Sequence, residues 1–241
     1  MLVSTNLLDF IITAQGGLQP WQHAHTIDAD VTYGGPFWEF KGVPDFVDTD
    51  HVIADVHRQH VVLHQPSGRT IEYDKQADAV TVTETNGDVD VLKQPRRSFD
   101  GYTQDTKWTV AQAGYFRAYA TWSYLVEPYL FTYRGVETTE IDPWSEDGQT
   151  WRGLSVTFPS TVDAHNTTQF YYFDDNGFQR RMDYQPEVNG GSPTAHYDTA
   201  HETFDGVVVT TRRRIHVRNA DRTPDRSWTP ITLDVSGVTL R

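Results

Sequence analysis

The stretch WTVAQAGYFRAYATWSYLVEPYLF, residues 108–131, decides the fold, because it is the one long helical segment in the middle of a chain that otherwise reads as strand. Tyr115, Tyr119 and Trp122 stand at i, i+4 and i+7 and so share a helix face, while Ala111, Gly114, Ala118 and Ala120 keep other positions small. Such a helix must cover something apolar. Its start is expected near Asp105 or Thr106, and Pro128 breaks it.

Towards the N-terminus, Leu7, Leu8, Ile11 and Ile12 form an apolar stripe at helical spacing. Ser4, Thr5 or Asn6 can cap it and Gly16-Gly17 can stop it, so a short amphipathic helix is expected there. HTIDADVTY then alternates Ile27, Ala29 and Val31 against Asp28, Asp30 and Thr32, a strand with one wet face. HVIADVHRQHVVLH, RTIEYD, AVTVTE and VDVLK continue as a meander, with Asn86-Gly87 predicting a type I′ hairpin. Beyond the central helix, YLFTYRGVETTEI, TWRGLSVTF, TQFYYFDDNGFQRRMDY, TAHYDTAHETF, GVVVTTRRRIHVR and ITLDVSGV repeat the strand style, with a second hairpin at Asp175-Asn176-Gly177. Roughly ten to twelve strands, two helical segments and no alternation of strand and helix predict an α+β domain over residues 1–241, mainly antiparallel, with helices against one sheet face.

Composition narrows the function. Against 20 basic residues stand 33 acidic ones, a net charge of −13 that argues against nucleic acid and anionic membrane surfaces as partners. The absence of cysteine excludes disulfides, thiol nucleophiles, thiolate zinc sites and iron–sulfur clusters. MLVSTNLLDFIITAQGG has no Lys or Arg near it before Lys41 and is interrupted by Asp9, so it does not read as a signal peptide, and a cytoplasmic location is expected. No apolar run reaches the ~18–20 residues of a membrane span. No Walker loop, GxGxxG, GxSxG or metalloprotease motif occurs, so neither a nucleotide cofactor nor a metal is expected.

The order of amphipathic helix, meander, central helical cover and long strands carrying FYYFDDNGFQRR and ETFDGVVVTTRRR resembles the LolA/LppX-like lipoprotein-carrier half-barrel superfamily, which includes VioE-like cytoplasmic proteins. The resemblance implies a curved, incomplete antiparallel barrel with a helical lid and an apolar cavity between them. It also implies that Trp38 lines that cavity. The chain lacks the lipidated cysteine of a lipoprotein, so the cytoplasmic branch is the nearer analogy.

Strand parity supplies the candidate chemistry. In GVVVTTRRRIHVR, Arg213 shares a face with Val207, Val209, Ile215 and Val217; in FQRRMDY, Arg180 shares one with Phe178, Met182 and Tyr184. A guanidinium facing a core needs either a carboxylate such as Glu127 or a bound anion. His196 shares a face with Asp198 and Glu202, which makes it the acid/base candidate, with Tyr119 and Glu127 as further proton-moving groups. His57, His60 and His64 have helical metal-ligand spacing, but the Val-rich strand around them puts only His60 and His64 on one face. The leading expectation is a binder of an amphipathic or lipophilic small molecule, held by Trp38, Tyr115, Tyr119 and Trp122 and anchored by Arg180 or Arg213. The alternatives are a cofactor-independent isomerase, lyase or cyclase working through His196, Tyr119 and Glu127, and a partner-binding domain recognisable by an exposed apolar patch.

Overall fold

The computed structural model describes residues 6–241. Helices α1 (Leu7–Ala14), α2 (Leu18–His23) and α3 (Phe37–Lys41) flank strand β1 (Thr26–Gly34). The first meander follows as β2 (Thr49–Asp55), β3 (His60–His64), β4 (Thr70–Asp74), β5 (Ala79–Thr83) and β6 (Val89–Lys93). Helix α4 (Val110–Val126) separates it from β7 (Glu137–Glu146), β8 (Gln149–Thr157), β9 (Thr168–Phe173), β10 (Gln179–Tyr184), β11 (Thr194–Phe204), β12 (Val207–Val217) and β13 (Ile231–Leu240). The thirteen strands of the described residues form one curved, antiparallel half-barrel, ordered β6-β5-β4-β3-β2-β1-β13-β12-β11-β10-β9-β8-β7. The two meanders are joined through β1 and β13, whose register runs from Ile27 opposite Leu240 to Gly34 opposite Thr232.

The strand count exceeds the expected ten to twelve. HVIADVHRQHVVLH is not one run but β2 and β3, folded back over a turn at Val56–Gln59 so that Val52 pairs with Leu63. Its chemistry conceals the turn, because no Gly, Pro or Asn marks it. The helical content is also richer than two segments, since α2 and α3 are short and the Tyr129–Thr132 stretch, read as strand, is a 3₁₀ turn. Asn6 does cap α1, accepting from the Asp9 amide at 2.8 Å; the other cap candidates, Ser4 and Thr5, lie outside the described residues.

The Asn-Gly hairpins take a different turn from the expected one. Gly87 and Gly177 have positive φ, but Asn86 and Asn176 do not, and the glycine amides bond back to Glu84 O and Asp174 O. These are type I turns closed by a left-handed glycine. The type I′ form belongs instead to Asp147-Gly148 and Asp205-Gly206, where both residues have positive φ.

Helix α4 starts later than expected, at a capping box in which Thr109 accepts from the Gln112 amide and the Gln112 side chain accepts from the Thr109 amide. It lies against the concave face of β3–β5, close enough that a Cβ on Gly114 would meet Ile71 Cγ2 at 2.7 Å. Every residue from Ala111 to Val126 is buried. The helix is therefore enclosed on all sides rather than amphipathic: Phe37 and Trp38 of α3 pack on Phe116, with ring centroids 5.7 and 6.2 Å apart.

Candidate functional site

The face of α4 turned to the second meander carries tyrosines into a continuous buried polar network. Tyr119 Oη lies 3.1 Å from His165 Nδ1, and Tyr124 Oη lies 2.8 Å from His165 Nε2. Tyr124 Oη is also 3.3 Å from Tyr184 Oη, which is in turn 3.3 Å from His196 Nδ1. His196 Nε2 sits 3.4 Å from Asp198 Oδ1, too poorly aligned for a hydrogen bond. Asp198 accepts from Arg213 Nη1 at 3.1 Å and from Gln179 Nε2 at 2.6 Å. Glu127 Oε2 lies 3.9 Å from Arg213, and Glu127 Oε1 accepts from Tyr171 at 3.1 Å.

Burial governs the protonation of this network. It pushes the Glu127 carboxyl up to about 7, against the pull of Arg213, and the neighbouring Asp198 charge adds to the rise. Asp198 is held below the ordinary carboxylate range, because Arg213 and His196 outweigh its burial. His165 is driven well below the usual imidazole range, chiefly by burial and then by His196 and Arg96, and His196 is lowered by burial too. Two acids share one arginine here, and one of them gives up its charge.

The structure thus gathers His196, Tyr119, Glu127 and Arg213 into one network. Tyr115 is buried beside it, with its ring centroid 5.0 Å from that of Tyr119, but bonds to Asp163 rather than to the network. Trp122, between Tyr119 and Tyr124 on α4, stays out of the network and donates to Asp55 O at 2.7 Å. Trp38 sits on the opposite flank, among Phe37, Phe46 and Phe116. Arg180 is not on the core face. A register shift between Gln179 and Arg181 turns Gln179 inward and leaves Arg180 half-buried. The fully buried arginine of this strand, Arg181, lies on the outer face, paired with Asp183 at 2.7 Å and Glu146 at 2.8 Å. Glu202 leaves the His196 face after irregularities at Asp198–His201 and is exposed. His60 and His64 do share a face, where His60 contacts Glu72 at 2.9 Å and His64 contacts Thr70 at 3.3 Å; His57 lies in the turn.

The expected open cavity under the helix is filled. Beside Tyr33, Trp38, Tyr124 and Tyr184 the free space is about 20 Å³. What fills the mouth is the β8–β9 connection, Phe158–Thr167, which dips inward so that Asp163, Ala164 and His165 are buried. His165 stacks on Tyr184 at 4.0 Å between centroids. Asp163 accepts from Tyr73 at 2.6 Å, Tyr115 at 2.7 Å and Lys75 at 2.8 Å, while Gln59 bonds both its amide and its carbonyl. Two clefts flank this connection. One, of about 700 Å³, is bordered by Arg96, Arg97, Phe99 and Phe158; the other, of about 670 Å³, by His57, Trp122, Tyr133 and Arg134, and Lys75, Ser160 and Val162 belong to both. Asp163 and His165 escaped the sequence reading, because TVDAHNTT has the polarity of a solvated loop. Tyr124 escaped because it falls off the stripe of Tyr115, Tyr119 and Trp122.

No protein-family model matches the chain, and no curated protein matches it by sequence. By structure it is similar to a LolA superfamily protein from Nitrosomonas europaea, at 13% identity and a TM-score of 0.55 over 96% of this chain and 92% of that one. It is also similar to a domain assigned to outer-membrane lipoprotein sorting from Vibrio parahaemolyticus, at 10% identity and a TM-score of 0.56 over 98% and 91%. The Mycobacterium tuberculosis lipoprotein LppX overlays more loosely, at 14% identity and a TM-score of 0.32 over 96% and 94%. The chain shares the curved half-barrel fold of the Nitrosomonas and Vibrio neighbours, as the resemblance noted in its sequence implies.

Proposed function

We propose that the protein binds an amphipathic or lipophilic small molecule between the sheet and α4, admitted beside the Phe158–Thr167 connection. The observation that carries this reading is the pair of clefts of about 700 and 670 Å³, which meet at Lys75, Ser160 and Val162 and reach α4 at Trp122. Both fall within the roughly 300–1,000 Å³ of small-molecule sites. An apolar cargo is in keeping with the lipoprotein-sorting assignment of the Vibrio neighbour. Enzymatic use of His196, Tyr119 and Glu127 is the weaker reading: the space beside their network, about 20 Å³, is on the order of what one water needs. The partner-binding reading is weaker too: among the described residues the exposed large apolar side chains Leu18, Phe40, Val47 and Trp228 are scattered along the chain, and only Val89 and Val91 share an element, the edge strand β6.

Native mass spectrometry of the protein purified from its own host tests the proposal. A co-purified lipophilic molecule is the expected result. A bare protein that also fails to take up a dansyl-labelled fatty acid or its ester in solution would overturn it.

A further inference from the structure

Asp163 occupies a built receptor for a carboxylate. Three donors converge on its two oxygens from two parts of the fold: Tyr73 of β4 with Lys75 in the turn directly after it, and Tyr115 of α4. Tyr73 and Tyr115 are fully buried, and Lys75 keeps access to both clefts. This is the composition expected of an anion site, with one cation and two neutral phenols in a dry setting. Yet the anion it holds is carried by the Phe158–Thr167 connection and not by a strand or helix.

Ser160 and Val162 of the same connection border both clefts, so that its withdrawal would join them. Its backbone is clipped from outside. Arg96 donates to Ala164 O at 2.9 Å, and the Glu187 amide donates to His165 O at 2.9 Å. When the segment leaves, Lys75 and the two phenols are left facing the joined clefts with no anion. Arg213 cannot serve as this anchor, because Asp198 at 3.1 Å and Glu127 at 3.9 Å already hold it.

We propose that Tyr73, Tyr115 and Lys75 are the head-group site for a lipophilic carboxylic acid, and that Asp163 is an internal stand-in for that acid's carboxylate. The inference rests on the ligand-binding reading above and specifies its substrate class. Ligand and Asp163 compete for the same three donors, so affinity is reduced by the fraction of time the segment is seated.

The test is a fluorescence titration of wild type and Asp163→Ala with 11-(dansylamino)undecanoic acid and with its methyl ester. The variant is expected to bind the acid about tenfold more tightly than wild type does, with no matching gain for the ester. A folded variant that binds the acid no better, or gains equally for the ester, overturns the carboxylate assignment; equal uptake of the ester by both proteins would still leave the broader binding reading standing. Failure of both proteins to take up either probe overturns both. Acetate supplies a readout without the apolar tail. It should raise the Tm of Asp163→Ala but not that of Asp163→Ala combined with Lys75→Ala, and no rise in the single variant counts against the site. Should Asp163→Ala not fold, the isosteric Asp163→Asn takes its place with the same expected direction, because a neutral amide competes less well than a carboxylate for Lys75.

Discussion

Two arginine–aspartate pairs flank α4, alike in chemistry and unlike in surroundings. On the side of the first meander, Arg117 Nη1 meets Asp50 Oδ2 at 2.7 Å with both side chains fully buried. Its guanidinium is caged by the rings of Tyr33, Trp38 and Phe46, at 3.8, 4.7 and 4.5 Å from their centroids. One acid answers one cation there. On the side of the second meander, Arg213 meets Asp198 and Glu127 and donates to Tyr124 O at 3.0 Å within a chain of phenols and imidazoles. The first pair is a closed unit in an aromatic medium, whose loss on either side strands a charge. The second is part of a surplus of acid that the network absorbs by leaving Glu127 protonated near neutrality.

The largest expected effect comes from opening the closed pair. Arg117→Met should cost about 3–5 kcal/mol in urea unfolding, because Asp50 is left buried without a partner, and Arg117→Met with Asp50→Leu should recover most of that loss. Arg213→Met should cost less than Arg117→Met, since Asp198 keeps the Gln179 donor. Equal losses in the two single variants would erase the distinction between the pairs.

Next comes the pH dependence. Glu127 titrates at about 7 in the folded protein against an ordinary 4.5. The folded state therefore holds a proton that the unfolded chain releases. This contribution is fully present below pH 4.5 and is lost as pH rises towards and through 7, by on the order of 3 kcal/mol. The lowered pKa values of His165 and His196 act in the opposite sense, adding stability as pH rises through the ordinary imidazole range, so the wild-type slope alone is mixed. Glu127→Gln isolates the acid. Its stability relative to wild type should climb from pH 5 to about pH 7 and level off by pH 8, measured by unfolding at each pH. A flat difference would mean that Glu127 is already ionised.

The division between the flanks also shows what a sequence exposes. Alternation in GVVVTTRRRIHVR identifies Arg213 as inward, because β12 is regular where it pairs with β13, from Arg212 opposite Asp234 to Ile215 opposite Ile231. The same rule fails for Arg180, since a single extra residue at Gln179–Arg181 reverses which side chain points inward and leaves no mark in composition. The order of elements was legible from turn residues and helical spacing, and the half-barrel came from the family resemblance which that order carries. The contents of its mouth were not. Asp163 and His165 are buried by contacts with Tyr73, Tyr115, Tyr119 and Tyr124, residues about 40 to 90 positions away in the chain, and local periodicity carries no information about such contacts.

The smallest effect is the most discriminating. His165 is neutral, so one ring nitrogen donates and the other accepts, and Tyr119 and Tyr124 must take opposite roles towards it. Tyr119→Phe and Tyr124→Phe should each cost about 1 kcal/mol as lost buried hydrogen bonds. Together they should depart from additivity by roughly 0.5 kcal/mol or more, because removing one phenol frees the imidazole to choose its tautomer for the other. On the opposite flank the Tyr33 phenol meets Thr121 at 2.7 Å outside this network. Tyr33→Phe should therefore cost a similar amount yet add to Tyr119→Phe within about 0.3–0.5 kcal/mol. Coupling confined to the His165 pair means that the polar flank behaves as one cooperative unit and the ring-caged flank as separate contacts. Coupling of the same size across both flanks would show that α4 transmits strain as a rigid body, and the contrast between the two arginines would then be one of composition only.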